Sequence, residues 1–244
     1  MKLVLTILVA LLIVPHAFVA IGYAASGFEH WSRASWESTG LAPDPARTPE
    51  AVIQIYAARA WGWRGVFGAH TWLAMKPKGA AGYERFDVVG WGVRSGAPAV
   101  RRNMRPVDGH WAGNPPQVLL ERRGPEAEAL IGRLEQAIAA YPYPDLYRTW
   151  PGPNSNTFIA HLAREVPELR LAMPPLAVGK DYLGPHLFAR TPSGTGFQIS
   201  LLGVLGVSLG RAEGFELNLL GLTLGVDPMG LAVKLPGFGR LGLG

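Results

Sequence analysis

One short segment of the chain combines a hydroxyl nucleophile with the start of a helix. In Gly152–Phe158 (GPNSNTF) a Gly-Pro turn leads into Ser155, which is flanked by Asn154 and Asn156. The first amides of a helix have no intrahelical partner and carry the positive end of the helix dipole. The N–H groups of Ser155 and Asn156 would therefore form an oxyanion site beside a nucleophilic hydroxyl. The same position suits a helix N-cap, and the residues alone favour the cap.

The other polar residues give weaker evidence for a metal or cofactor site. Asp108, His110 and Asn114 lie in a turn-rich stretch that could hold a metal, but a lone His among Gly, Trp and Pro is typical of a loop hydrogen-bonding residue. The chain has no Cys, which excludes thiolate metal sites and a cysteine nucleophile. It also lacks the GxGxxG, P-loop and HExxH motifs. We therefore expect no cofactor and no metal.

The elements that must position Ser155 are strands followed by helices. Four segments have the composition of strands: Ala51–Ala60, Gly65–Lys76, Tyr83–Trp91 and Gln117–Glu121. Four strands in a row predict an antiparallel sheet. Apolar residues at helical spacing then predict one helix that begins at Pro125 and ends at Tyr141, and a second that runs from Ser155 to Glu165. In the second helix Ser155 shares the apolar sector that faces the core.

The C-terminal part of the chain is rich in glycine and leucine. A weak repeat relates Leu201–Val207 to Leu219–Val226, and turn signals lie at Arg211–Gly214 and Asp227–Gly230. This pattern predicts β-hairpins. An apolar, glycine-studded sheet of this kind must be covered by the main domain, by a partner or by the bilayer surface. The sequence leaves these three alternatives open.

The N-terminus is apolar from Leu3 to Ala25, behind the single charge of Lys2. As an anchor this segment exceeds the ~20 residues that cross a bilayer, although Pro15 would kink it and His16 is costly at mid-depth. As a secretory signal it has a charged start and small residues suited to cleavage. The pattern favours a retained anchor. Either alternative places Lys2 in the cytoplasm and the rest of the chain outside it, so we expect an inner-membrane protein with its main domain on the periplasmic or extracytoplasmic side.

The basic charge does not predict a nucleic-acid partner. The 23 Lys and Arg residues exceed the 18 acidic ones, giving a net charge of +5, but they are scattered along the chain. The densest cluster is formed by Arg101, Arg102 and Arg105, and its pattern is typical of a solvated loop and strand end. A nucleic-acid binder would require cytosolic residence and a dense arginine face, and neither is indicated.

Two short motifs carry a resemblance to a known group of folds. Asn154–Phe158 (NSNTF) resembles the Asn-Cys-Asn-(Thr/His)-Phe motif of circularly permuted papain-like proteins, which include NlpC/P60-type, lecithin:retinol acyltransferase-type and PPPDE-type members. Gly68–Trp72 (GAHTW) resembles the strand that carries their histidine. The resemblance implies that Ser155 occupies the nucleophile position and His70 the general-base position, and Asp87 is our candidate for the residue that orients the imidazole. Because serine replaces cysteine, the thiol chemistry is gone, and a hydroxyl needs a well-placed base to react.

Over nearly its full length the chain also resembles a bacterial family of unknown function, DUF3750. The segments that carry this resemblance are Trp63–Gly65, Tyr83–Gly92, Trp150–Phe158, Gly179–Asp181 and Asn218–Leu222. The resemblance implies an N-terminally anchored envelope protein and supplies no activity.

Together these patterns predict an α+β protein with a permuted papain-like core. We expect residues 1–26 to form a signal anchor or signal peptide, 27–50 a linker, 51–192 the α+β domain and 193–244 a Gly-rich β appendage. The predicted function is that of a non-catalytic binding or structural module, whose partners are the membrane and an envelope ligand or protein. The alternative is a serine-dependent hydrolase or acyl transferase acting on an amide or ester bond in the envelope.

Overall fold

A computed structural model describes residues 2–27 and 30–242 of the chain. In chain order the helices and strands are α1 (Lys2–Ser26), β1 (Val52–Arg59), β2 (Ala69–Lys76), β3 (Glu84–Val88), β4 (Val100–Arg102), β5 (Gln117–Arg123), α2 (Pro125–Ala139), α3 (Ser155–Glu165), β6 (Phe188–Arg190), β7 (Gly196–Leu201), β8 (Leu205–Gly210), β9 (Gly214–Leu219), β10 (Leu222–Asp227), β11 (Ala232–Leu235) and β12 (Gly239–Gly242). Short 3-10 turns lie at Gly62–Val66, Val93–Ser95 and Pro167–Leu169. The predicted α+β class is confirmed.

The first sheet has five antiparallel strands in the order β4-β3-β2-β1-β5. Its central strand, β2, places Leu73 and Met75 on the face that α2 and α3 cover. There they form the main core with apolar residues of both helices, including Phe158 and Leu162. Successive residues of a strand point to opposite faces, so β2 also supplies the other side of the sheet.

That other side is lined by aromatic residues. Tyr56, Trp72 and Trp111 are buried there, and Trp36 packs against them. Trp36 belongs to the segment that the sequence predicts to be a surface linker. In the structure this segment is tied to the domain by the bridge between Ser38 and Gly109, and it helps to cover the aromatic face.

The second sheet confirms the predicted hairpins. Its seven antiparallel strands follow chain order from β6 to β12. The first strand, Phe188–Arg190, precedes the boundary predicted at residue 193. The repeat seen in the sequence places Leu202-Gly203 and Leu220-Gly221 in hairpin turns, where all four residues have positive φ. Positive φ at successive turn residues matches the twist of the flanking strands.

Helix α1 lies against β10, β11 and the 3-10 turn at Gly62–Val66. Its segment Thr6–Ala25 is long and apolar enough to cross a membrane, a property that signal sequences share. Only 11% of the most apolar part of the helix is buried against the rest of the protein. Most of its apolar surface is therefore left uncovered.

Candidate functional site

His70 and Asp87, two of the predicted site residues, are in direct contact. His70 is the second residue of β2 and Asp87 lies on the neighbouring β3, both on the aromatic face. The Nε2–H group of His70 donates to Oδ1 of Asp87 over 2.9 Å. The Arg85 guanidinium grips the same carboxylate with two bonds, Nε to Oδ2 at 2.7 Å and Nη2 to Oδ1 at 2.9 Å. All three side chains are buried, so the carboxylate is held between an imidazole and a guanidinium.

Aromatic rings enclose this trio. The imidazole of His70 stacks on Trp111 with ring centroids 3.5 Å apart and planes 11° apart. The Arg85 guanidinium lies 4.2 Å from the centroid of the Trp72 ring, within the range of a cation–π interaction. These two contacts hold the His70 imidazole and the Arg85 guanidinium in place and enclose them between aromatic rings.

The pKa values follow from this enclosure. Burial lowers the pKa of His70, and the bond to Asp87 only partly offsets that effect. For Asp87 burial acts in the opposite sense, but Arg85 and His70 outweigh it and hold the pKa below its usual value. At neutral pH the trio is therefore a neutral imidazole, an ionised carboxylate and a guanidinium cation. This arrangement can orient an imidazole, as the predicted base requires.

Ser155 lies on the opposite face of the sheet. Its backbone carbonyl accepts a hydrogen bond from Oγ1 of Thr71 at 3.3 Å, and Thr71 also reaches Oδ1 of Asn156 at 2.9 Å. Thr71 follows His70 directly in β2, and successive strand residues point to opposite sides. The structure thus brings His70 and Asp87 together on one face of the sheet, while the backbone of Ser155 is bound by Thr71 on the other. A base needs to be ~3 Å from the proton that it accepts, directly or through one water.

Asn154, not Ser155, is the N-cap of α3. Its Oδ1 accepts from the backbone N–H groups of Asn156 at 3.0 Å and Thr157 at 3.1 Å, and Thr157 Oγ1 accepts from the Asn154 N–H in a capping box. The sequence interpretation of Ser155 as the cap is therefore corrected by one residue, because Ser155 already has helical geometry. The capping bond also occupies the Asn156 N–H group that the oxyanion hypothesis requires.

The remaining polar atoms of the motif join separate segments of the chain. Asn156 Nδ2 donates to the carbonyls of Ala69 at 2.9 Å and Val178 at 2.8 Å. Asn154 Nδ2 donates to the carbonyl of Val178 as well, at 3.0 Å, and Thr157 Oγ1 donates to that of Gly179. The motif therefore fastens the start of α3 to the start of β2 and to the loop before the second sheet. These bonds give Asn154, Asn156 and Thr157 a structural role.

Comparison with known proteins identifies the family. Residues 50–182 match the family described as "Protein of unknown function (DUF3750)", which is more than half of the chain. The chain belongs to the DUF3750 family. No curated protein and no solved structure matches this DUF3750 protein. The permuted papain-like core therefore stays a prediction.

The other sequence candidates of this DUF3750 protein hold loops in place. Asp108 accepts from Oγ of Ser38 at 2.6 Å and from the N–H of Ala42 at 3.0 Å. His110 Nδ1 bonds the carbonyl of Glu37, and Asn114 bonds that of Trp111. Within residues 2–27 and 30–242 no group of three His, Asp or Glu side chains is arranged to hold a metal ion.

The sequence analysis did not identify Arg85, the third member of the buried trio, or Trp111, the ring that stacks on His70. Arg85 was recoverable, because it lies two residues before Asp87 on the same strand and must share its face. Trp111 comes from a loop, and no spacing in the sequence connects it to His70.

Proposed function

We propose that this DUF3750 protein is a non-catalytic binding or structural module of the cell envelope, held at the inner membrane by α1 with its main domain on the periplasmic or extracytoplasmic side. One observation carries the proposal: His70 bonds Asp87 on one face of the five-stranded sheet, whereas the next strand residue, Thr71, binds the Ser155 backbone on the other face. A serine hydroxyl without a neighbouring base does not react at neutral pH. On this proposal His70, Asp87 and the two asparagines beside Ser155 serve the stability of the fold.

The anchoring part of the proposal is supported by α1. The helix is continuous from Lys2 to Ser26, and its most apolar part is largely uncovered by the rest of the protein. Exposing so long an apolar helix to water is unfavourable, at roughly 25 cal/mol per Å². Insertion into a bilayer removes that surface from water.

A serine-directed fluorophosphonate probe tests the absence of catalysis. We expect no labelling of the wild-type protein above the level of Ser155→Ala. Labelling of the wild type that is lost in both Ser155→Ala and His70→Gln, with both variants folded, would establish the alternative, a serine-dependent hydrolase or acyl transferase. The preformed His70–Asp87 pair is the observation that favours this alternative.

Membrane fractionation tests the location. The full-length protein should stay in the membrane pellet after an alkaline carbonate wash, and protease added to spheroplasts should digest the main domain. Recovery in the soluble periplasmic fraction would instead show that α1 acts as a cleaved signal.

A further inference from the structure

The seven-stranded sheet has its polar and apolar faces reversed relative to an ordinary surface sheet. Across neighbouring strands the register aligns one inward row of polar residues and glycine: Gln198, Ser208, Glu216, Gly225 and Lys234. The adjacent row is outward and, from β7 to β12, apolar: Phe197, Leu209, Phe215, Val226, Val233 and Leu241. On the edge strand β6 the row ends in Arg190, which pairs with Phe197. Every member of the outward row is exposed, Phe197 to 71% and Leu209 to 68%. Sheets that meet water on one side normally show the opposite pattern.

The inward face is polar because it closes a buried charge network against the main domain. Lys180 Nζ donates to Glu216 Oε2 at 2.7 Å and to Asp181 at 3.0 Å, and Lys234 binds the other oxygen of Glu216. Asn218 donates to the remaining oxygen of Asp181. Burial disfavours the Lys180 ammonium, but the two carboxylates outweigh it and raise the pKa of Lys180. The network fixes which face of the sheet points inward and so commits the apolar face to the outside.

The outward face is concave as well as apolar. Phe188, Ile199, Val207 and Phe215 line a groove of about 660 Å³ together with Phe197 and Leu209. Its single charged lining residue, Arg190, lies on the edge strand β6. Soluble monomers rarely leave contiguous apolar patches of more than a few hundred Å² in water, and this apolar face extends over six strands. Such a surface requires a cover.

The contacts of helix α1 indicate what lies against the outward face of the sheet. His16, near the middle of the helix, touches the turn between β11 and β12: a Cβ on Gly237 would stand 3.2 Å from its ring. Phe18 and Phe238 approach with ring centroids 6.4 Å apart. The apolar helix therefore meets the sheet at this turn, where Phe238 is partly exposed beside it.

The position of this contact sets a depth. His16 lies ten residues before Ser26, which ends α1, so about 15 Å of helix separates them at ~1.5 Å per residue. This length is half of the ~30 Å hydrocarbon core. If α1 crosses the bilayer, the turn beside His16 lies near mid-depth, and the outward face of the sheet that carries it lies at the depth of one leaflet.

We propose that the outward face of the seven-stranded sheet is a lipid-binding surface that lies against the acyl chains of the leaflet next to the main domain. This inference rests on the proposed anchoring by α1. The polar-inside, apolar-outside alternation is that of strands whose outer face meets lipid. The face, and not the open strand edges, meets the acyl chains, because unpaired edges are not tolerated in hydrocarbon.

The chain has no cysteine, so an introduced cysteine provides a unique labelling site for an environment-sensitive fluorophore. The full-length protein is reconstituted in vesicles of phosphatidylethanolamine and phosphatidylglycerol, with or without a lipid that carries a nitroxide on its acyl chain. Phe197→Cys and Leu209→Cys report the sheet, Ile13→Cys reports α1, and Glu135→Cys, on the exposed side of α2, is the aqueous control. All four side chains are exposed, so substitution leaves the core intact, and circular dichroism confirms folding.

We expect the nitroxide lipid to quench the labels at positions 13, 197 and 209, and aqueous iodide to quench only the label at 135. Quenching of 197 and 209 by iodide, with 13 still quenched by lipid, overturns the inference while the anchor stands. Protection of 197 and 209 from both quenchers shows that a second copy or another protein covers the face, which also overturns it. Iodide quenching at position 13 refutes the anchor itself.

Discussion

His70 and Thr71 are neighbours on β2 and bind partners on opposite faces of the sheet. His70 bonds Asp87 on the aromatic face, whereas Thr71 bonds Asn156 at the start of α3. The two motifs that resemble a catalytic pair are therefore joined through Thr71 and Asn156, while the imidazole of His70 points to the other face of the sheet. His70, Asp87, Asn154, Asn156 and Thr157 all make stabilising contacts, which supports the proposal that both motifs serve the fold.

Stability should depend on Asn154 far more than on Ser155. Asn154→Ala removes the cap of α3, at a cost of about 1 kcal/mol, and leaves the carbonyl of Val178 with one donor fewer. Ser155→Ala removes a hydroxyl that makes no hydrogen bond to any residue of the described ranges, so we expect a loss of at most about 0.5 kcal/mol. Urea denaturation of both variants checks this order. Equal losses, or a larger loss for Ser155→Ala, would contradict the assignment of the cap.

Asp87→Asn should be among the most damaging single substitutions in the domain. Removal of the carboxylate leaves the Arg85 guanidinium buried without its counter-ion, which typically costs about 3 to 5 kcal/mol. The matched control is Glu135→Gln, an equivalent change at an exposed position, which should be neutral. Thermal denaturation of the two variants provides the measurement. In a double variant, Arg85→Met should recover part of the loss, since the unpaired charge is then gone.

The wild-type protein should lose stability as the pH falls below about 6.5, the ordinary pKa of His. Burial lowers the pKa of His70 in the folded state, so the unfolded chain binds the proton first. Stability from this group is complete above the unfolded pKa and is lost as the pH falls towards the folded one. The free energy of unfolding between pH 7 and pH 5 measures the effect.

His161 is half-buried, and burial is again the chief reason that its pKa is lowered. The controls are therefore His70→Gln and His161→Gln. For each variant, the change in the slope of the unfolding free energy against pH, relative to the wild type, reports the contribution of the histidine that was replaced. If the slope of His70→Gln equals that of the wild type, His70 is not held neutral by the fold.

The first sheet was predictable because its strands are local patterns of apolar and β-branched residues bounded by turns. The sequence places strands at Ala51–Ala60 and Gln117–Glu121, and the structure has them at Val52–Arg59 and Gln117–Arg123. Helix α3 was predicted with the residues at which it begins and ends. The short strand Val100–Arg102 was missed, since three residues carry no periodicity.

The relation between the site residues was not predictable from spacing. Whether His70 faces α3 depends on the phase of β2, and that phase is set by which alternate residues enter the main core. Leu73 and Met75 enter it, and that phase places Thr71 on the same side and His70 on the other. Counting back along β2 from Leu73 and Met75 shows which face each residue occupies. The sequence alone, however, does not say which of the two faces α3 covers.

The inward charge network makes a final prediction about the second sheet. Glu216 accepts from both Lys180 and Lys234. The substitution Glu216→Gln therefore removes a carboxylate that both lysines share and leaves Asp181 as the carboxylate bound to Lys180. Breaking a buried ionic group in this way costs about 3 to 5 kcal/mol. Ser208→Ala, at the neighbouring position of the same inward row, is the control and should cost far less. Hydrogen exchange followed by mass spectrometry should show faster exchange across β7–β11 in Glu216→Gln while β1–β3 stay protected. Uniform protection in both sheets would show that the network does not hold the second sheet to the domain.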